Sequence, residues 1–351
     1  MTKQMKETSS VFIELNKTQI DREIIKEGEF KTEDGDIFIK KWRIQKEENE
    51  EPSQIKTQNK YLGVLKKEGF LFSGSLNEDF QRDGYGLENF KNGDKFLGQF
   101  ESDIRNEKGV YYFAPVKNKN ENENENAVNI KSECYLGEWK NNLKEKNGIY
   151  IWLDQQENKF EYNQTNFDAY IGEFEEDKFT RGTYLTKLNN EFTLYHGNFN
   201  KNGKKNDDNG YFFSSKWNKI FHGKFVNDAL ENGYLCSFDE EGENVTEIIF
   251  CKFNEDGSVN DVNEENELNK EDVEKEKKSV ALFRNTIFEG DYFGKVYSIF
   301  YKIKNKVDNL EDMVKILEDE ENIGKLNKIL NKYNKKNLYK EIEEKNFGKE
   351  K

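Results

Sequence analysis

The chain has 351 residues, of which 34% are hydrophobic and 35% charged, with a formal net charge of −14. So low a hydrophobic share, against ~45–50% in ordinary globular chains, excludes a thick aliphatic core. The acidity excludes nucleic acid as the main partner, because phosphate binding draws on clustered Lys and Arg.

Aromatics make up 14% of the chain, and 25 Gly stand against 2 Pro, a balance that favours strands carrying flat rings and glycines at set positions. Cys134, Cys236 and Cys251 are an odd set, expected to be free thiols in a reducing compartment. No apolar run near the start has the length of a signal peptide or a membrane span, so the chain reads as cytoplasmic.

Residues 1–59 open with a polar stretch and then carry a hairpin signal from Phe30 to Ile44 around Asp34-Gly35, with Ile37, Ile39 and Trp42 along it. This hairpin is expected to cap the first sheet edge, which would otherwise invite aggregation.

Residues 60–254 repeat one pattern: aromatic, any, Gly, any, aromatic or Leu. It occurs at Tyr61-Leu62-Gly63-Val64-Leu65, Phe72-Ser73-Gly74-Ser75-Leu76, Phe96-Leu97-Gly98-Gln99-Phe100 and Tyr135-Leu136-Gly137-Glu138-Trp139. It returns at Tyr170-Ile171-Gly172-Glu173-Phe174, Tyr195-His196-Gly197-Asn198-Phe199 and Phe221-His222-Gly223-Lys224-Phe225. From the second copy on, a further glycine follows each motif and opens a second run: Gly84, Gly109, Gly148, Gly182, Gly210 and Gly233. The predicted unit is strand, turn, strand. Alternate residues of a strand share one face, so each motif places two rings and a glycine on one side. Glycine leaves a hole there, expected to be filled by a ring from the neighbouring strand. The wider spacing around Tyr135 and Tyr170 places insertions at Asn118–Asn126 and Gln155–Asp168, both expected to be solvated loops.

These motifs resemble MORN repeats, whose pattern is Tyr-x-Gly-x-Trp/Phe, a turn, then Gly-x-Gly or Gly-x-Tyr. Gly84-Tyr85-Gly86 matches the second half and Tyr135 to Trp139 the first, and the resemblance covers residues 61–238. The first copy departs from the pattern by lacking its own second half. The resemblance implies an elongated, single-layer antiparallel sheet of hairpins, mainly β, with a long surface and no enclosed pocket. Proteins with such repeats include radial spoke head components of cilia, parasite cytoskeletal ring proteins and junctophilins. Others carry them beside a catalytic domain, for which the segments outside these repeats are too short and too polar.

Residues 255–279 are acidic and Asn-rich and read as a linker. Within 280–297, Phe288-Glu289-Gly290-Asp291-Tyr292 repeats the motif spacing and suggests a terminal repeat. Residues 298–351 carry helical apolar stripes, one over Val307, Leu310, Val314 and Leu317 and one over Ile323, Leu326, Ile329 and Leu330. The second helix bears Lys325, Lys328, Lys332, Lys335, Lys336 and Lys340 without an acid among them. They form a solvated face, or dock an acidic protein, or contact acidic lipids.

No catalytic constellation, metal-ligand spacing or cofactor motif stands out. His196 and His222 precede motif glycines on strands two apart and read as surface residues too distant to share a metal ion. On the face opposite the rings, Leu62, Leu97, Leu136 and Ile171 make an apolar row, while the later copies place His196 and His222 there. That row is a candidate contact for a partner, or is covered by the chain's own flanking segments. The expectation is a non-enzymatic scaffold that binds other proteins of a ciliary or other cytoskeletal assembly. The alternative is a membrane-contact module acting through the six lysines.

Overall fold

The computed structural model describes residues 24–32, 35–42, 61–119, 128–156, 166–239, 244–254, 259–263, 270–289, 298 and 301–305. The fold is mainly β, built of antiparallel hairpins in open sheet, with a helix towards the C-terminus. The chain divides into two compact units, the first from residues 1–114, 134–143 and 302–323, the second from 115–133, 144–301 and 324–351.

The strands are β1 (Ile24–Thr32), β2 (Gly35–Trp42), β3 (Tyr61–Lys67), β4 (Phe70–Leu76), β5 (Arg82–Phe90), β6 (Lys95–Glu101) and β7 (Ile104–Lys119). They continue as β8 (Val128–Lys140), β9 (Leu143–Gln156), β10 (Asn166–Glu175), β11 (Lys178–Leu188), β12 (Glu191–Asn198), β13 (Asp207–Ser214), β14 (Lys219–Val226), β15 (Ala229–Phe238), β16 (Val245–Phe253) and β17 (Val259–Asn263), before α1 (Lys270–Glu289). From β1 to β7, and again from β9 to β17, each strand pairs antiparallel with the next in sequence. In the N-terminal hairpin Thr32 faces Gly35, and β2 lies along β3 with Ile39 opposite Gly63.

The glycines meet one another across the strands. One row runs Gly63, Gly74, Gly86, Gly98, Gly109 in the first unit. In the second unit the rows are Gly148, Gly172, Gly182, Gly197 and then Gly210, Gly223, Gly233. Two sequence expectations shift accordingly. The row glycine of β5 is Gly86, whereas Gly84 faces Phe100. The Tyr61 copy lies on a strand antiparallel to the Phe72 strand beside it, so Gly63-Val64-Leu65 occupies the place of a second half. It lacks a second half because it is one.

What the glycines admit is the ring two residues earlier on the same strand, folded back over its own glycine and the glycine opposite. A Cβ on Gly86 would come within 2.1 Å of the Phe72 ring, and one on Gly109 within 2.6 Å of the Phe96 ring. This corrects the expectation of a ring from the neighbouring strand: Gly74, Gly98, Gly172 and Gly197 lie under the ring of their own strand, and it is the glycines opposite, Gly86, Gly109 and Gly182, that a neighbour's ring covers. Within each motif the two rings then meet edge to face. Phe96 and Phe100 lie 5.2 Å apart at 88°, Tyr170 and Phe174 5.1 Å at 88°, and Tyr195 and Phe199 5.2 Å at 86°. The first ring also meets the last ring of the following motif, as in Phe72 with Phe100, Phe96 with Trp139, Tyr170 with Phe199 and Tyr195 with Phe225. Each such pair contributes ~0.5–1.5 kcal/mol beyond its buried area. In a chain poor in aliphatic residues these ring series replace the thick core.

Where the first ring is tyrosine its hydroxyl donates to the carbonyl three residues on: Tyr135 to Glu138, Tyr170 to Glu173 and Tyr195 to Asn198, all at 2.8–2.9 Å. Phe72, Phe96 and Phe221 fill the same place without that bond, so ring packing matters more than the hydroxyl. Tyr170→Phe is therefore expected to cost only ~1 kcal/mol in urea unfolding. A loss above ~3 kcal/mol would show that the hydroxyl organises the strand.

The turns that join the two strands of a repeat share a feature that sequence spacing did not single out. Ser102-Asp103, Asn141-Asn142, Glu176-Asp177 and Asn227-Asp228 are residue pairs with both φ positive, the geometry of a two-residue I′ hairpin turn. The second residue of each clasps the preceding hairpin. Its side-chain Oδ1 accepts from the backbone N–H of Arg82, Arg105, Lys144 and Lys205 in turn, at 2.8–2.9 Å. Each clasped residue carries a cation beside the rings: Arg82 over Phe100 at 4.9 Å, Arg105 over Phe96 at 4.9 Å, Lys144 over Tyr150 and Lys205 over Tyr195 at 5.7 Å. In the first unit buried Glu88 receives both Arg82 and Arg105, so the charge under the sheet is paired.

Candidate protein-interaction surface

The predicted repeat-core residues fall on the motif strands. Phe72, Gly74, Phe96, Gly98, Phe100, Tyr135, Trp139, Tyr170, Gly172, Phe174, Tyr195, Gly197, Phe221 and Phe225 are buried, as is Gly63. Gly137, Phe199 and Gly223 are half-buried. Tyr61 and Leu62 lie on β3, and nothing is described of their side chains.

On the opposite face, where the apolar row was expected either to meet a partner or to be covered by the chain itself, the row is covered. Leu97 is 1% exposed, Leu136 7% and Ile171 4%, so they are interior residues and not an open contact surface. Leu62 leaves the row as well. It pairs with Ser75, and the row instead runs through Val64, Ser73, Leu87, Leu97 and Val110. In the second unit it runs through Ile149, Ile171, Thr183, His196, Tyr211, His222 and Tyr234.

The polar end of this second row lies under α1, which packs against β14 and β16. Glu276, Ser279, Val280 and Phe283 recur at i, i+3, i+4 and i+7 and face the sheet. Ser279 and the Tyr211 hydroxyl share a 2.7 Å hydrogen bond, Glu276 meets His222 Nδ1, and Phe283 stacks on Tyr211 at 4.3 Å. The segment read as an acidic linker thus holds β17 and the first half of α1. Phe288 and Glu289, read as opening a terminal repeat, end that helix. The remainder of that motif lies outside the described residues. So do the two predicted C-terminal stripes and Lys325, Lys328, Lys332, Lys335, Lys336 and Lys340.

His196 and His222 are 5% and 8% exposed, which corrects their reading as surface residues: α1 covers this end of the row. His196 Nδ1 lies 3.0 Å from Thr183 Oγ1, and burial together with the Arg181 charge lowers its pKa from 6.5 to about 3. The folded state therefore binds it neutral, while the unfolded chain takes up a proton below about 6.5. Its stabilising contribution is complete above that pH and is lost as pH falls towards 3. Between pH 7 and 5 the loss amounts to about 2 kcal/mol. Unfolding at both pH values should show this difference shrinking by that amount in His196→Gln, and an unchanged difference would refute the assignment.

The three cysteines are buried and form no disulfide among the described residues. Burial pushes Cys236 and Cys251 upward from their ordinary values, so neither is an activated nucleophile. Among the described residues no three His, Cys, Asp or Glu side chains gather as metal ligands, and no helix is long and apolar enough to cross a membrane.

Among the described residues of the second unit a concave place opens to solvent on the ring face of β9, β10 and β11. It is a hollow of about 460 Å³. Trp152 forms an aromatic wall, stacked on Tyr150 at 4.2 Å and tilted towards Tyr184 at 6.0 Å. Asp168 stands directly opposite Trp152 on one side and Thr186 on the other, and Asp154 faces Asn166. Glu133 enters from β8 and accepts from the Tyr150 hydroxyl at 2.9 Å. Burial, then the Asp168 charge, raises Tyr184 to a pKa of about 12, which keeps its phenol neutral. Tyr150, Trp152 and Tyr184 belong to the second runs opened by Gly148 and Gly182, but the acids beside them hold no motif position, so sequence spacing gave no sign of the site. Compared with known proteins, the chain matches no family model and no curated sequence.

Proposed function

We propose that this chain is a non-enzymatic scaffold of the MORN-repeat type, binding other proteins of a large cytoplasmic assembly, ciliary or otherwise cytoskeletal. The observation that carries this reading is the repeat register itself. Glycine meets glycine on successive strands with a ring folded over each pair, and the strands holding these rings are those matching Tyr-x-Gly-x-Trp/Phe. A series of like hairpins builds surface in proportion to its length, and recognition is what repeat arrays use that surface for. The cilium or cytoskeleton rests on family analogy.

The test is native size. The tagged chain, gently extracted from its own cells, should elute in a particle far larger than its own 41.6 kDa and shift with co-eluting proteins when crosslinked. Elution as a free chain at every salt concentration would remove the scaffold reading.

A further inference from the structure

We propose that the hollow on β9, β10 and β11 is a binding site for an arginine side chain of a partner protein. The inference rests on the scaffold reading and names the chemistry of one of its contacts.

The hollow joins a flat ring to negative charge. Trp152 and Tyr184 present π surface, and Trp is the best side-chain face for a cation. Its neighbours Glu133, Asp154 and Asp168 are carboxylates. Among the described residues Asp154 and Asp168 form no ion pair, unlike Glu88, whose charge is met by two arginines. Two lysines also line the hollow, against three carboxylates. Lys187 donates to the Asn189 carbonyl at 2.6 Å, and Lys131 stands exposed. A planar guanidinium satisfies both demands at once, lying on the ring while its fork donates to carboxylates, which a lysine ammonium does less well. The same combination already operates inside the fold, where Arg105 lies over Phe96 and Trp139 while donating to Glu88. A volume of about 460 Å³ admits such a side chain together with flanking backbone.

The experiment uses the full chain labelled with ¹⁵N at its tryptophan indoles, titrated with the blocked peptide Gly-Arg-Gly-Arg-Gly. Parallel titrations use its lysine and citrulline counterparts, citrulline being the neutral isostere of arginine. Trp152→Phe identifies the Trp152 indole signal. That signal should move with the arginine peptide, less with lysine and not with citrulline. Asp154→Asn with Asp168→Asn should weaken binding by roughly tenfold. Glu175→Gln with Asp208→Asn, two exposed acids elsewhere, should leave it within about twofold.

No movement of the Trp152 signal, or equal movement with citrulline, overturns the proposal whatever the charge variants show. Equal loss in both double variants also overturns it, since binding would then follow net charge alone. A failed titration with the chain still in a large particle ends the arginine site and leaves the scaffold reading. A successful titration with a chain that is free in cells does the reverse.

Discussion

Alanine at Gly172 should destabilise the protein by about 3 kcal/mol or more, although it adds a single methyl group. That methyl would lie 2.4 Å from the Arg181 carbonyl oxygen, 2.4 Å from the Tyr170 hydroxyl and 2.7 Å from the Gly182 Cα. Two of these three are backbone, and the backbone is held by pairing on both sides, to β9 and to β11. Relief would have to come from moving strands apart or from expelling the Tyr170 ring, which itself meets Phe174, Phe179 and Phe199. Gly69 supplies the comparison, because a Cβ there meets nothing within 4 Å. Gly69→Ala should lie within ~1 kcal/mol of the parent, on the stabilising side if restriction of the unfolded chain dominates. Urea midpoints at constant m-value measure both. If both alanines fall within about 1 kcal/mol of the parent, the ring-over-glycine account of the fold is wrong.

The second large effect is expected at Phe283, which is 1% exposed and is the main apolar anchor of α1 on the sheet. Truncating a buried phenylalanine costs ~3–5 kcal/mol when the structure cannot close over the gap. Here the gap opens beneath a helix whose remaining sheet-facing residues are the small Val280 and two polar ones, Glu276 on His222 and Ser279 on Tyr211, so the helix itself should yield. Phe283→Ala should strip hydrogen-exchange protection from α1 while the strand ladder of β12 to β15 keeps most of its own. It should also admit water to His196, moving that residue's pKa back up towards 6.5 and weakening the acid sensitivity described above. Leu282, one position away and 37% exposed, serves as the control, with Leu282→Ala expected within ~1 kcal/mol of the parent. Uniform loss of protection across strands and helix would show that α1 is an integral part of the fold.

The hairpin repeat was legible because its physics is local. A ring that folds back over the glycine two residues on needs that glycine, and the requirement recurs at Gly74, Gly98, Gly172 and Gly197. The phase of the first copy was not legible. Tyr61 to Leu65 fits the motif as text, and only antiparallel pairing with β4 reveals Gly63 as a second-half glycine. Helix α1 was missed because two of its four sheet-facing positions, Glu276 and Ser279, are polar, so the apolar periodicity that marks a buried helix is broken where polar partners await it. The polar end of the row, read from His196 and His222, was in fact the mark of that helix. The turn clasps could have been found three residues after the last motif ring, where Asp103, Asn142, Asp177 and Asp228 all stand. The hollow could not, since Glu133, Trp152 and Asp168 stand on three successive strands at positions outside the five-residue motif.

The scaffold claim is tested most directly by fractionating cells that express the tagged chain, first with detergent alone and then with detergent and rising salt. The account predicts that the chain stays with the insoluble cytoskeletal or axonemal material after the membranes dissolve and leaves it only as salt breaks protein contacts. Release by detergent alone would contradict it and point to a membrane-bound chain.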